Sequence, residues 1–181
     1  EKRSWIERRQ QILAARPAPT CPDFSDGQTV YLWGESRRLR LEPAARGRNA
    51  FLRDQDIVLQ VHPGDTPAQR QALLNSFYRA QLDARIRACL PYWEGKTGLH
   101  PASVQIKNMK TRWGTCNTAA KRIWLNLQLV KQPPVCLDYV LAHELTHLLH
   151  PDHGNGFWAF LLRVMPDCKA IRKALNETPF L

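Results

Sequence analysis

Residues 141–158 read LAHELTHLLHPDHGNGFW, and this stretch sets the terms for the rest of the chain. His143 and His147 are spaced one helical turn apart, so on a helix their imidazoles project from the same face. Two imidazoles so placed can share one Zn²⁺. Glu144 follows the first of them and can reach a water on the metal. Such a water is acidic enough to act as a nucleophile near neutral pH, with Glu144 taking its proton. The flanking Leu141, Ala142, Leu145, Leu148 and Leu149 point this face toward a buried side. Buried polar groups need partners, and a shared metal supplies one. The stretch therefore predicts a metal-dependent hydrolase.

A third ligand has two candidates. His150 continues the stripe of His143 and His147, but on a straight helix it lies about 10 Å along the axis from His143. Three ligands at bonds of about 2.0–2.1 Å to one zinc do not fit along a rod. His153 comes after Pro151, which ends the helix, and Gly154 and Gly156 let the chain curl back. The expected ligands are His143, His147 and His153, with His150 a cation at the helix C-terminus. The spacing HExxHxxxxxH is also that of the metzincin proteases. Those carry Gly where this chain has His150, and neither Met109 nor Met165 sits in a Met-turn context, so that reading is weak.

Upstream, Arg112-Trp113-Gly114-Thr115-Cys116 is expected as a tight turn between strands at 104–107 and 123–127, with Trp113 packed inward. Arg112 can stabilise an oxyanion beside the metal, or bind a substrate carboxylate or phosphate. Arg112, Trp113 and Thr115 are the expected substrate-binding residues. Cys116 ranks low as a fourth ligand, because a closed zinc site leaves no room for water.

The rest of the chain reads as an α+β pattern. A short helix is expected over 4–14, a Pro-rich break over 16–22 and an antiparallel β-meander over 24–62. Asp65-Thr66-Pro67 starts a long central helix running to about Cys89, followed by a loop from Trp93 to His100. A small sheet leads into the metal helix, about 136–150, and two short helices follow at 157–164 and 167–175. The whole of 1–181 is expected to be one domain, with the helix and meander in 1–64 and the metal-binding core in 65–181.

Composition narrows the function. The formal charge is +10, with arginines clustered at Arg37, Arg38, Arg40, Arg46, Arg48 and Arg53. This is either a basic soluble surface or the footprint of a polyanion such as nucleic acid or nucleotide. No Walker loop accompanies it. The five cysteines are scattered and form no CxxC pair, which favours a reducing cytosol over a disulfide framework. No apolar run is long enough for a transmembrane helix, so a membrane partner is not expected.

Taken together, KTRWGTC (110–116), IWLN (123–126), DYVLAHELTH (138–147), His153 and Phe157-Trp158 resemble the YgjP-like metallopeptidase family, relatives of the SprT and WLM zincin-type proteins. Thr115 stands where the family usually has Ser, and Gly154-Asn155 where it often has Ser-Lys. The resemblance implies a zincin-like core, Zn²⁺ (or Ni²⁺ or another divalent ion in a purified sample) on His143, His147 and His153, and Glu144 as the catalytic glutamate. It implies a peptide or protein substrate. Two alternatives use the same site: hydrolysis of a nucleotide or phosphoanhydride, and SprT-like proteolysis near DNA with the basic surface as a tether.

Overall fold

The computed structural model describes residues 23–177; the helix expected over 4–14 and the Pro-rich break over 16–22 lie outside the described residues. The architecture is α+β, as the element pattern predicts. Two small sheets flank a long central helix, and the C-terminal part is helical.

The first sheet holds β1 (Thr29–Leu32), β2 (Glu35–Pro43), β3 (Asn49–Arg53) and β4 (Asp56–Val61). β1 and β2 are joined by Trp33 and Gly34, both left-handed at φ 54° and 86°. Two successive positive φ values give the hairpin turn whose twist matches the strands. A Cβ at position 34 would also lie 2.9 Å from Pro133 Cγ, so the turn demands glycine twice over. The expected antiparallel meander is corrected here. The strand order is β1-β2-β4-β3, and β2 runs parallel to β4. β3, a strand the sequence reading had not separated, folds back antiparallel on the outside of β4. Burial explains the order. Ile57, Val58 and Leu59 of β4 are all but inaccessible, and a strand apolar on successive residues belongs in a sheet's interior. The half-polar β3, with exposed Leu52 and Arg53, takes the edge.

The arginine cluster lies on this sheet and is largely neutralised. Arg37 bonds Glu35 and Gln55. Arg40 pairs with Asp56 at 2.9 Å, Arg53 with Glu42 at 2.6 Å, and Arg48 donates from Nε to Asp65 at 2.9 Å.

Helix α1 (Pro67–Thr97) begins with a reciprocal capping box between Thr66 and Gln69, which satisfies two of the free backbone donors of the first turn. Its buried stripe, Leu74, Tyr78, Leu82, Ile86, Cys89 and Trp93, keeps a helical three-or-four spacing. The helix passes through Pro91 and ends at Gly98 in the left-handed conformation, so the loop expected from Trp93 is instead the last turns of the helix. Trp93 anchors them: it is buried, and its indole N–H donates to Asp138 at 2.9 Å. At the other end, Tyr78 donates its hydroxyl proton to the Tyr31 carbonyl at 2.8 Å, tying α1 to β1.

The second sheet is β5 (Ser103–Lys107), β7 (Arg122–Asn126) and β6 (Gly114–Asn117), in the order β5-β7-β6. Gly114-Thr115-Cys116, expected in a turn, form an edge strand antiparallel to β7. A 3₁₀ turn, Leu127–Lys131, then leads to α2 (Pro134–Thr146), α3 (Asn155–Val164) and α4 (Cys168–Glu177). α2 is buried on nearly every side, with Leu137, Leu141, Ala142 and Leu145 fully inaccessible. No described helix is long and apolar enough to cross a membrane.

Asp65, just before α1, accepts from Arg48 and from the His62 N–H at 3.0 Å. The hydrogen bond from Arg48 holds its carboxyl well below the usual aspartate range. A group whose folded pKa is depressed contributes stability above its unfolded value, about 3.9, and loses it as pH falls toward the folded value. Asp65→Asn should therefore lower the urea midpoint at pH 7. The gap to the parent protein should shrink below about pH 4. A gap that stays constant from pH 7 to pH 2 would exclude this role.

Candidate metal centre

α2 ends earlier than its sequence suggests, and this shapes the site. The expected span reached about residue 150; the α-helix stops at Thr146, with His147 as its C-cap. Leu148 N–H bonds the Leu145 carbonyl at 2.9 Å and Leu149 N–H that of Thr146 at 3.1 Å, so the last turn tightens to 3₁₀ geometry. Pro151 disfavours helical backbone at His150. Because His147 keeps helical dihedrals, φ −63° and ψ −21°, its side chain stays over the same face as His143.

The tightened turn carries the chain through Pro151 and Asp152 to His153. The ligand atoms of His143, His147 and His153 lie within 4.8 Å of one another, and Nε2 of His143 is 3.0 Å from Nε2 of His153. Tetrahedral zinc at bonds of about 2.0–2.1 Å separates its ligand atoms by roughly 3.3 Å. Nδ1 of His143 is buried without a hydrogen-bond partner, and its Nε2 meets another imidazole nitrogen. Burial, then the nearness of His147, His153 and Arg172, pushes the His143 pKa down to about 3. That keeps the ring in the neutral form that ligates metals. Nδ1 of His147 faces the His150 carbonyl at 3.1 Å, an arrangement that fixes the ring and leaves Nε2 free for a metal. His150 does not join the cluster; its ring packs near Phe160, at 6.1 Å between centroids.

The floor of the cluster is Phe157, a residue sequence reasoning passed over as a functional element. It is fully buried and holds the rings of His143, His147 and His153 at 4.8, 4.8 and 4.7 Å between centroids. Trp158 stacks beside His153.

Glu144 is 5 % exposed. Burial pushes its carboxyl up to about 8, and the nearby Arg112 pulls it down. The edge strand passes directly over it. A Cβ on Gly114 would lie 2.6 Å from Glu144 Oε1 and 2.8 Å from Val140 Cγ1. Glycine is required here for close approach, not for turning. Its neighbour Cys116 lines the cleft, and burial followed by the Glu144 charge raises its thiol to about 11. Cys116 stays a thiol and lies outside the histidine cluster.

Arg112, Trp113 and Thr115 reach the cleft in different ways. Arg112 and Trp113 sit on a loop held by Asn126, fully buried at the end of β7. The Asn126 amide donates to the Met109 and Arg112 carbonyls at 2.9 and 2.7 Å and accepts from Met109 N–H at 3.2 Å. Arg112 is exposed at the junction of two cavities, and Trp113 lines one of them. Thr115 lies opposite Trp124, on the sheet face away from Gly114 and Cys116, so it contributes to the cleft rim. The cavity of about 420 Å³ runs along β6, past Gly114, Thr115 and Cys116, to the histidines. The other, about 250 Å³, lies beyond Arg112 and is closed by Tyr139 and by Arg172 of α4. Arg172 gave no signal in the sequence, being one of several cations on an amphipathic helix.

The profile of the YgjP-like family, described as a metallopeptidase domain, matches residues 1–178. The chain belongs to this family, and with it to proteins built around a divalent metal. Among solved structures, it is similar to the metallopeptidase zymogen abylysin of Pyrococcus abyssi. Identity is 23%, covering 50% of this chain and 90% of that one, with a TM-score of 0.46. No curated protein matches the sequence.

Gly114→Ala tests the close approach. The added methyl must displace Glu144 or the strand. Overpacking of this kind costs about 1–3 kcal/mol, and a shift near 1 Å in a reacting group can cost about a hundredfold in rate. A loss of at least tenfold in kcat, with bound metal per chain unchanged, is expected. An unaltered kcat would show that the strand does not constrain Glu144.

Proposed function

We propose that the protein is a zinc-dependent peptidase that cleaves extended polypeptide, with His143, His147 and His153 holding the ion and Glu144 as general base and acid. The observation that carries this reading is the free edge of β6 above Glu144. Among the described residues, β6 pairs only with β7. The Asn126 N–H donates to the Trp113 carbonyl at 2.8 Å. Antiparallel alternation then turns the N–H and C=O groups of Gly114 and Cys116 away from β7, toward the cleft. An extended peptide can complete that edge by main-chain hydrogen bonds, which would lay its carbonyls beside the histidine cluster.

When bound, zinc acidifies water and polarises a carbonyl. Glu144, buried at the foot of the strand, takes the proton of the attacking water and returns it to the leaving amine. Gly114 leaves room for that carboxylate. Arg112, at the junction of the cavities, supplies positive charge where the carbonyl oxygen becomes negative. The phosphoanhydride and DNA-tether readings rested on the arginine cluster, and Arg37, Arg40, Arg48 and Arg53 are engaged by acidic partners on the first sheet. The described cysteines, Cys89, Cys116, Cys136 and Cys168, are unpaired, which supports a reducing compartment such as the cytosol.

The deciding experiment compares Glu144→Gln and His143→Ala. Glu144→Gln should retain zinc and lose at least about a hundredfold in peptide hydrolysis, the scale of general acid–base catalysis. His143→Ala should lose the zinc itself. Chelation should silence the parent protein, and added Zn²⁺ should restore it. Peptide turnover that persists in Glu144→Gln, or phosphate release from nucleotides with no peptide cleavage, would overturn the reading.

A further inference from the structure

Resting on the peptidase reading, we infer that the cavity beyond Arg112 is a carboxylate-binding subsite beside the scissile bond, with Arg172 of α4 as its specificity-determining residue. The two cavities share Arg112, Gly114, His143, Glu144 and His153. A chain laid along β6 therefore has the reacting carbonyl at their junction, and its next group enters the second cavity.

That cavity is small, about 250 Å³, and cations outnumber acids among its described lining residues. It is lined by Arg112 and Arg172, with Asn176 and the Tyr139 phenol as neutral polar groups. Among the described residues, Glu144 is the one acidic residue on its wall, and on the peptidase reading it belongs to the reaction. Burial raises the Tyr139 hydroxyl to about 12, so it remains a donor. Among the described residues, neither Arg112 nor Arg172 makes a side-chain ion pair. This contrasts with the first sheet, where arginine charge is matched by Asp and Glu. Two guanidinium groups that line one cavity, neither in an ion pair with a described residue, favour an anion, and the planar fork of arginine suits a carboxylate.

Arg172 is also pre-positioned. Its guanidinium lies over the Trp158 ring at 5.1 Å, and Trp158 in turn stacks beside His153. The α4 helix that carries it is seated by buried Cys168 and Leu175. Stacking holds the face of the guanidinium and leaves its N–H fork available to a ligand. The same stack links the subsite to the metal cluster, so carboxylate capture and placement of the scissile bond occur on one rigid wall. The carboxylate has two sources, an Asp or Glu side chain next to the cleaved bond or the C-terminus of the substrate itself.

The test uses the zinc-loaded protein and matched peptides. One pair differs by Glu against Gln beside the scissile bond, with the C-terminus amidated. A second pair carries Gln there and differs by a free or amidated C-terminus nearest the bond. Carboxylate over amide should be favoured about tenfold or more in kcat/KM in at least one pair, mostly through KM, as befits a charge-assisted hydrogen bond. The preference should weaken as salt is raised. A preference in the first pair assigns a side-chain subsite, and one in the second assigns recognition of the chain end. Arg172→Gln should bring the favoured ratio close to one, and Arg172→Lys should retain part of it. Peptide binding to Glu144→Gln, followed by tryptophan fluorescence, should show the same ranking without turnover. Equal kcat/KM within both pairs, or a ratio that survives Arg172→Gln, would overturn the subsite. Failure of every peptide to be cleaved would instead overturn the peptidase reading. If peptides still bind Glu144→Gln with carboxylate preferred, the subsite stands without it.

Discussion

The contact that governs this structure is the passage of β6 over the end of α2. Glu144 is buried beneath Gly114 so closely that no side chain fits between them. One edge of the second sheet, one turn of a helix and one carboxylate are thereby brought to a fixed relation. Burying a carboxyl is costly, and burial raises the Glu144 pKa accordingly. The surrounding core makes it tolerable: α2 is sheathed by apolar residues, and Ile123 and Leu125 of β7 are fully buried on the sheet face shared with Gly114 and Cys116.

A second constraint is the seating of the three histidines around Phe157. One aromatic ring touches all three imidazoles, so packing sets their directions. Rigid support of this kind lowers the entropic cost of assembling a metal site. Asn126 does the equivalent for the opposite wall. Its amide closes the loop that presents Arg112 and Trp113. Charge follows a similar division: Arg37, Arg40, Arg48 and Arg53 of the first sheet are ion-paired, whereas among the described residues Arg112 and Arg172 make no ion pair.

Much of this was legible in the chain. The helical periodicity, the Asp65-Thr66-Pro67 start of α1 and the α+β order of elements could be read because each depends on neighbours a few residues apart. His143 and His147 were legible for the same reason, and the Pro and Gly residues around His153 indicated that the chain would return. Errors fell where distant residues decide. Helical propensity and Pro91 could not tell that Trp93 would find Asp138, so the end of α1 was misplaced. Alternation along β2 and β4 marks strands but carries no record of pairing, so a parallel central pair was read as a meander. RWGTC was read as a turn, whereas Gly114 lies in an edge strand and serves close approach to Glu144.

The sequence by itself determined the class of elements, the histidine-glutamate constellation and, through its motifs, the YgjP-like family. These rest on covalent spacing and on short-range backbone preferences, which survive in any context. Only the tertiary structure decided that β6 is an edge strand above Glu144, that Phe157 supports the imidazoles, and that Arg172 joins Arg112 across a cavity. Arg112 and Arg172 are far apart along the chain, and their meeting depends on how α4 packs against α2. A pattern of residue types does not encode such packing locally, because it is settled by the shape of the whole core.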